Sequence, residues 1–188
     1  KRALEDSMIE IFISAPSKDA IRVEARHFSG SRRKMPKFEL NIEKTPIDVC
    51  DKGDSLTVTN GRMRLEIGKN PATFDFYYDN RYLTSFAKKW DRSYISHIIK
   101  NGESYMDAHL SVAIGEKLYG LGERFTNLVK NGQSVDMWNE DGGTCTEIAY
   151  KNIPFYLSSK GYGVFVNDSG PVSFEICSEQ VSRAQMCV

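Results

Sequence analysis

The sequence predicts an all-β fold, an antiparallel β-sandwich, and three observations carry that reading. Apolar and polar residues alternate at period two along much of the chain, which sends one set to a buried face and the other to solvent. Gly-, Asn- and Asp-containing breaks interrupt these runs at the short spacing expected of a sandwich. No stretch carries the apolar period of a helix over a helix's length.

Taken in order, Ile9, Ile11, Ile13 and Ala15 alternate with Glu10, Phe12 and Ser14. Ile21, Val23 and Ala25 alternate with Arg22, Glu24 and Arg26. Leu56 and Val58 precede an Asn60-Gly61 turn, and Met63, Leu65 and Ile67 follow it. Because Asn-Gly tolerates positive φ, these two runs are expected to pair as a hairpin. Phe74, Phe76 and Tyr78 lead into Asp79-Asn80, and Tyr82 and Leu83 return. Residues 94–99 and the run through Tyr105, Leu110 and Val112 flank Lys100-Asn101-Gly102-Glu103. Residues 153–157 and 162–166 flank Ser158-Ser159-Lys160-Gly161. Val172, Phe174 and Ile176 form a late strand, and residues 181–188 one more, so the natural chain is expected to run on.

Two stretches break the rhythm. Residues 29–36 are basic and read as a solvated connection. Residues 127–146 are long, polar and glycine-rich, contain Trp138, and are expected to be a loop. Loops of that length inside a domain are uncommon and are often functional.

With 188 residues, one domain over 1–188 is the simplest partition. Lys plus Arg equal Asp plus Glu at 25 each, which argues against nucleic acid as a partner, since phosphate binding needs a basic stripe. No apolar run is long enough to span a bilayer as a helix, so no membrane partner is expected. The first residues lack the apolar core of a signal peptide. Cys50, Cys145, Cys177 and Cys187 are dispersed without a C-x-x-C pair, so neither a metal site nor a disulfide framework is expected. Reduced thiols suit a cytoplasmic location.

Gly120-Leu121-Gly122-Glu123-Arg124-Phe125 shares two glycines with a dinucleotide fingerprint. Phe125 replaces the third glycine and no βαβ pattern surrounds it, so no nicotinamide cofactor is expected. His27, His97 and His109 show no ligand spacing, and Asn167-Asp168-Ser169 fits a glycosylation sequon. Trp138-Asn139-Glu140-Asp141-Gly142-Gly143-Thr144 places an aromatic plane beside amide and carboxylate acceptors. Such a set suits a sugar, whose C–H face packs on the ring while hydroxyls donate to the acid; it suits equally a core-anchored Trp with solvated acids. Glu123, Asp136, Glu140 and Asp141 offer carboxylates, but a glycosidase pair needs a fixed separation that one loop holds poorly.

Four motifs in order resemble the amino-terminal domain of glycoside hydrolase family 31, in particular its bacterial α-xylosidase branch. They are Tyr119-Gly120-Leu121-Gly122-Glu123-Arg124-Phe125, the Trp138–Thr144 segment, Tyr150-Lys151-Asn152-Ile153-Pro154-Phe155-Tyr156 and Gly161-Tyr162-Gly163-Val164-Phe165-Val166-Asn167. The resemblance covers 118–188 most closely and the upstream strands more loosely. It implies a galactose-mutarotase-like sandwich ahead of a (β/α)₈ barrel that carries the two catalytic aspartates of a retaining mechanism. Catalytic residues, a metal and a cofactor are therefore not expected in this chain. The sandwich is expected to support the barrel and lend a loop to the leaving-group subsite for an α-linked xyloside or glucoside. The matching positions are Trp138, Asn139 and Asp141, with Asp141 as the sugar-hydroxyl acceptor. Gly142-Gly143, where family α-glucosidases tend to carry hydroxyl side chains, leans toward a xyloside. Gly120, Gly122, Arg124 and Asn152 are expected to serve turns and buried hydrogen bonds. A homo-oligomeric parent enzyme is compatible with this reading. The alternatives are a free-standing carbohydrate-binding module and, ranked last, an aldose mutarotase recruiting His97 and His109.

Overall fold

In the computed structural model, residues 8–27, 42–43, 45–86, 94–140 and 148–188 are described. The basic segment 29–36, Cys145 and Asp141 lie outside them. The described residues form strands and turns with no helix, all pairings between strands being antiparallel. No helix is therefore long and apolar enough to cross a membrane among them.

Strands β1 (Ile9–Ser14) and β2 (Arg22–His27) make a two-stranded hairpin. Strands β3 (Asp48–Asp51), β4 (Ser55–Asn60), β5 (Met63–Lys69), β6 (Ala72–Tyr78) and β7 (Arg81–Phe86) form a five-stranded meander in chain order. Strands β8 (Ile95–Lys100), β9 (Glu103–Ser111), β11 (Gln133–Met137), β14 (Val172–Ile176) and β15 (Arg183–Cys187) form a second five-stranded sheet, ordered β11-β14-β15-β9-β8. Strands β10 (Leu118–Gly120), β12 (Phe155–Ser158) and β13 (Tyr162–Phe165) make a small sheet ordered β10-β12-β13.

The expected turns form where φ > 0 is cheap. Asp79 and Asn80 (φ 46° and 65°) join β6 to β7, and Asn101 and Gly102 (φ 54° and 80°) join β8 to β9, as a two-residue hairpin demands. The β4–β5 turn sits one residue later than expected, on Gly61 and Arg62, because Asn60 ends β4 and pairs with Met63. Asn60 is buried and donates through Nδ2 to the carbonyls of Ser17 (2.6 Å) and Ala20 (2.7 Å). It is a strut to the β1–β2 turn rather than a turn residue.

Two corrections follow from the strand list. The expected loop 127–146 contains β11, whose Val135 and Met137 are buried while Ser134 and Asp136 face out; that is the period-two pattern within a polar composition. Strand β3 is exposed along its whole length and shows no apolar alternation, so nothing in its composition marked it.

The core lies between the two five-stranded sheets. Across one sheet the row Val135, Phe174, Met186 and Ala108 faces it. Across the other, Val58, Leu65, Phe76 and Thr84 do. Burial of each large apolar side chain contributes about 1.5–3 kcal/mol. At one end a hydroxyl seam joins the sheets. Thr84 Oγ1 donates to the Ser111 carbonyl (2.7 Å), and the Ser85 N–H donates to Ser111 Oγ (3.1 Å). The small sheet is pinned by buried Glu116, whose carboxylate accepts from the Ala113 N–H (2.8 Å), the Tyr162 hydroxyl (2.7 Å) and Ser158 Oγ. Burial first, and then Glu116, push the Tyr162 phenol well above its usual range, which keeps it a neutral donor. Cys50, Cys177 and Cys187 are free thiols; burial raises the Cys177 thiol pKa.

Candidate functional site

The site residues sit just past the edge strand β11. Val135 and Met137 anchor that strand in the core, and the chain leaves it at Trp138, whose side chain is 62% exposed. What holds Trp138 and Asn139 is Asn152, on the segment that enters β12. Asn152 Nδ2 donates to the Trp138 carbonyl (2.7 Å) and to Asn139 Oδ1 (2.7 Å), and its N–H donates to the same Oδ1 (3.2 Å). The Glu140 N–H donates to the Ala149 carbonyl (3.3 Å), so residues 139–140 run beside 149 as a short parallel bridge.

Arg124 completes the clamp. Its Nη2 donates to the Asp136 carbonyl (2.9 Å) and to Asn152 Oδ1, and its Nε to the Leu121 carbonyl (3.1 Å). One guanidinium thereby ties the 120–124 turn, strand β11 and residue 152 together, with the planar fork suited to several acceptors at once. The turn lies flat on the 151–155 backbone. The Leu121 N–H donates to the Phe155 carbonyl (2.9 Å) and the Glu123 N–H to the Lys151 carbonyl (3.0 Å). Gly122 adopts φ +89°, and a Cβ there would lie 2.0 Å from the Lys151 carbonyl oxygen. One on Gly120 would meet the Phe155 oxygen at 2.7 Å. The four residues expected to be structural therefore build the platform beneath Trp138.

Beside Trp138 lies an open groove of about 580 Å³ lined by Thr126, Gln133, Asp136, Trp138 and Ile148. Asn139 commits its amide oxygen to Asn152, which donates to it from both its N–H and its Nδ2. Asp141, the expected hydroxyl acceptor, follows two residues later, outside the described residues. Of the other carboxylates, Glu123 pairs with Lys151 (2.9 Å) at the surface. Asp136 Oδ1 accepts from Ser173 Oγ (2.6 Å). Glu123 and Asp136 thus each have a neighbouring cation or hydroxyl as a partner. Among the described residues no cluster of three His, Cys, Asp or Glu side chains converges as a metal site.

His97 and His109 do not meet, whereas His97 and His27 do. His97 on β8 stacks on His27 (centroids 3.7 Å apart), and Ser104 Oγ bridges the two rings. Partial burial and then the His27 charge lower the His97 pKa. His109 is buried on β9, between Asp107 Oδ2 (2.6 Å from Nε2) and Arg183 Nη1 (2.9 Å from Nδ1). Arginine only donates, so Nδ1 accepts and the ring's hydrogen sits on Nε2. His97 pairs across with Met106, three positions from His109, so the pleat puts the two histidines on opposite faces of the sheet. The two histidines considered for an aldose mutarotase are thus not brought to one site.

Residues 10–175 match the family model described as the glycosyl hydrolase 31 N-terminal galactose mutarotase-like domain. The chain is 44% identical over 177 residues to an alpha-xylosidase, XylQ, of Lactiplantibacillus pentosus, covering 93% of this chain and 23% of that protein. It is 39% identical over 204 residues to an alpha-xylosidase of Emericella nidulans, covering 98% and 26%. Its fold superposes on a GH31 dextranase of Flavobacterium johnsoniae with a TM-score of 0.76 at 21% identity, covering 98% of this chain and 23% of that one. The chain thus spans about a quarter of the length of the relatives it matches. With a family model matched over residues 10–175 and relatives 39% and 44% identical over nearly its whole length, the chain belongs to glycoside hydrolase family 31, as its N-terminal galactose mutarotase-like domain.

Proposed function

We propose that this domain serves a retaining exo-acting α-glycosidase, one that releases α-linked xylose, and that it forms one wall of the leaving-group subsite without itself cleaving the bond. The observation that carries the reading is the clamp: Arg124 and Asn152 fix the Trp138–Asn139 backbone while leaving the indole ring open to solvent. A rigid aromatic face directly ahead of Asp141 suits a sugar ring on the indole and a hydroxyl on the carboxylate. The identity to two alpha-xylosidases supports the xyloside over the glucoside, as does Gly142-Gly143 in place of hydroxyl side chains. Acid and nucleophile belong, in this reading, to a barrel outside these 188 residues. The free thiols suit a reducing, cytoplasmic setting.

The test uses the full-length parent enzyme. A hydrogen bond to a carboxylate contributes about 1.5–3 kcal/mol, so Asp141→Ala is expected to lower kcat/KM about ten-fold or more. The loss should vary with the aglycone, and the melting temperature should hold. Equal kcat/KM for variant and wild type across several aglycones would remove the role.

The groove beside Trp138 also favours a second reading, a self-sufficient carbohydrate-binding module. It predicts that the 188-residue chain alone changes its tryptophan fluorescence on titration with xylose oligosaccharides, and that Trp138→Phe abolishes the change. The leaving-group reading predicts no such change.

A further inference from the structure

The outward faces of the two five-stranded sheets are built mainly of polar side chains. On the β8–β15 sheet, the face turned away from the core carries the rows Ser134, Glu175, Gln185, His109 and Asp136, Ser173, Cys187, Asp107. On the β3–β7 sheet it carries Thr57, Glu66, Asp75, Ser85 and Thr59, Arg64, Tyr77. Both faces are dominated by polar side chains, of which Ser85, Asp107, His109 and Gln185 are buried.

The small sheet breaks that pattern. Its inner face holds Leu118, Tyr156, Ser158 and Tyr162, packed toward the core. Its outer face holds Tyr119, Phe155, Leu157 and Phe165, extended by Val129 through the bridge to Tyr119. Leu157 and Phe165 are 51% and 53% exposed. Gly163, opposite Leu157, leaves room for the Phe155 ring: a Cβ there would lie 2.6 Å from Phe155 Cζ. The ring lies across the strand and flattens the face. Ile153 and Tyr150, on the segment that carries Asn152 into β12, are exposed as well. A contiguous apolar face of this kind marks an interaction site.

We propose that the outer face of β10-β12-β13, centred on Leu157 and Phe165, is the docking surface for the remaining part of the parental polypeptide. This rests on the function proposed above and deepens it by naming the partner of that region. Two observations choose this occupant over a second copy of the chain. Roughly three quarters of the length of the matched alpha-xylosidases lies outside the part this chain covers. The face is also joined to the Trp138–Asn152 clamp by the segment that enters β12, so a body seated on Leu157 and Phe165 meets the edge of the sugar site as well. Docking then sets the height of Trp138 over the substrate.

Single Leu157→Cys and Phe165→Cys variants of the full-length parent, each alkylated with a maleimide and read by peptide mass spectrometry, test this. Each rate is compared with that of the same cysteine in the denatured protein. Coverage by the rest of the polypeptide is expected to slow labelling at both positions by about ten-fold or more, independent of protein concentration. Smaller protection at either position overturns the proposal. So does protection that vanishes on dilution, which would assign the face to a second copy. Labelling does not depend on aglycone kinetics, so a failed leaving-group role with intact protection, or the reverse, separates the two claims.

Discussion

At the scale of single residues, the Trp138 clamp depends on residues that shape the backbone beneath it. Gly122 shows this most sharply, because its left-handed backbone and its contact with the Lys151 carbonyl are both needed for the turn to lie on the 151–155 segment. Gly122→Ala is expected to cost about 3 kcal/mol, combining backbone strain with a clash against main chain that cannot yield. Gly132 has a similar φ of +84° but nothing within 4 Å of a Cβ, so Gly132→Ala should cost only the conformational part, about 1–2 kcal/mol. Urea midpoints of the two variants measure the difference; equal losses would show that the carbonyl contact is unimportant. The glycines were legible in the sequence as turn formers. The contact that makes one of them indispensable was not, since Lys151 lies 29 positions away in the chain.

Elements depend on one another through a few directed contacts. The β1–β2 turn is held to the β4–β5 turn by Asn60 and by Asp19, whose Oδ1 accepts from the Arg62 N–H (2.7 Å). That backbone hydrogen bond is the main reason the Asp19 carboxyl titrates below its usual value, with the Arg62 guanidinium adding to it. A folded-state pKa below the unfolded one means that the folded state binds fewer protons in the acid range. The stabilisation is therefore complete above the unfolded pKa of about 4 and fades as pH falls through the lower folded value. Asp19→Asn should accordingly be less stable than wild type at neutral pH, with the gap narrower at pH 3. Denaturant unfolding at the two pH values checks it, and a gap that widens in acid would reverse the sign. The same scale explains the strand hidden in 127–146: Val135 and Met137 alternate correctly, but β11 gains its ladder only from β14, which lies 39 residues on from its first residue.

For the whole molecule, the decisive feature is a single apolar cluster shared by the two five-stranded sheets. Leu65 comes from one sheet and Phe174 from the other, and both are fully buried in that cluster. Leu65→Ala is expected to cost about 2–5 kcal/mol and Phe174→Ala about 3–5 kcal/mol. Because the core is common, each should lower one and the same thermal transition followed by near-ultraviolet circular dichroism. Two separate transitions would show that the sheets unfold independently. The polar outer faces of these sheets and the apolar outer face of the small sheet also belong to this scale.

The sequence by itself determined the strands with strong alternation, their tight turns and the motifs that resemble glycoside hydrolase family 31, because periodicity and turn chemistry act over a few neighbouring residues. It also singled out Trp138, Asn139 and Asp141. Tertiary structure alone decided that Asn60 is a strut, that β3 and β10 join sheets, and that His97 and His109 stand back to back. It also decided that Leu157 and Phe165 face outward. Each of these depends on which distant strand becomes the neighbour, and that choice is settled by how the sheets share one core.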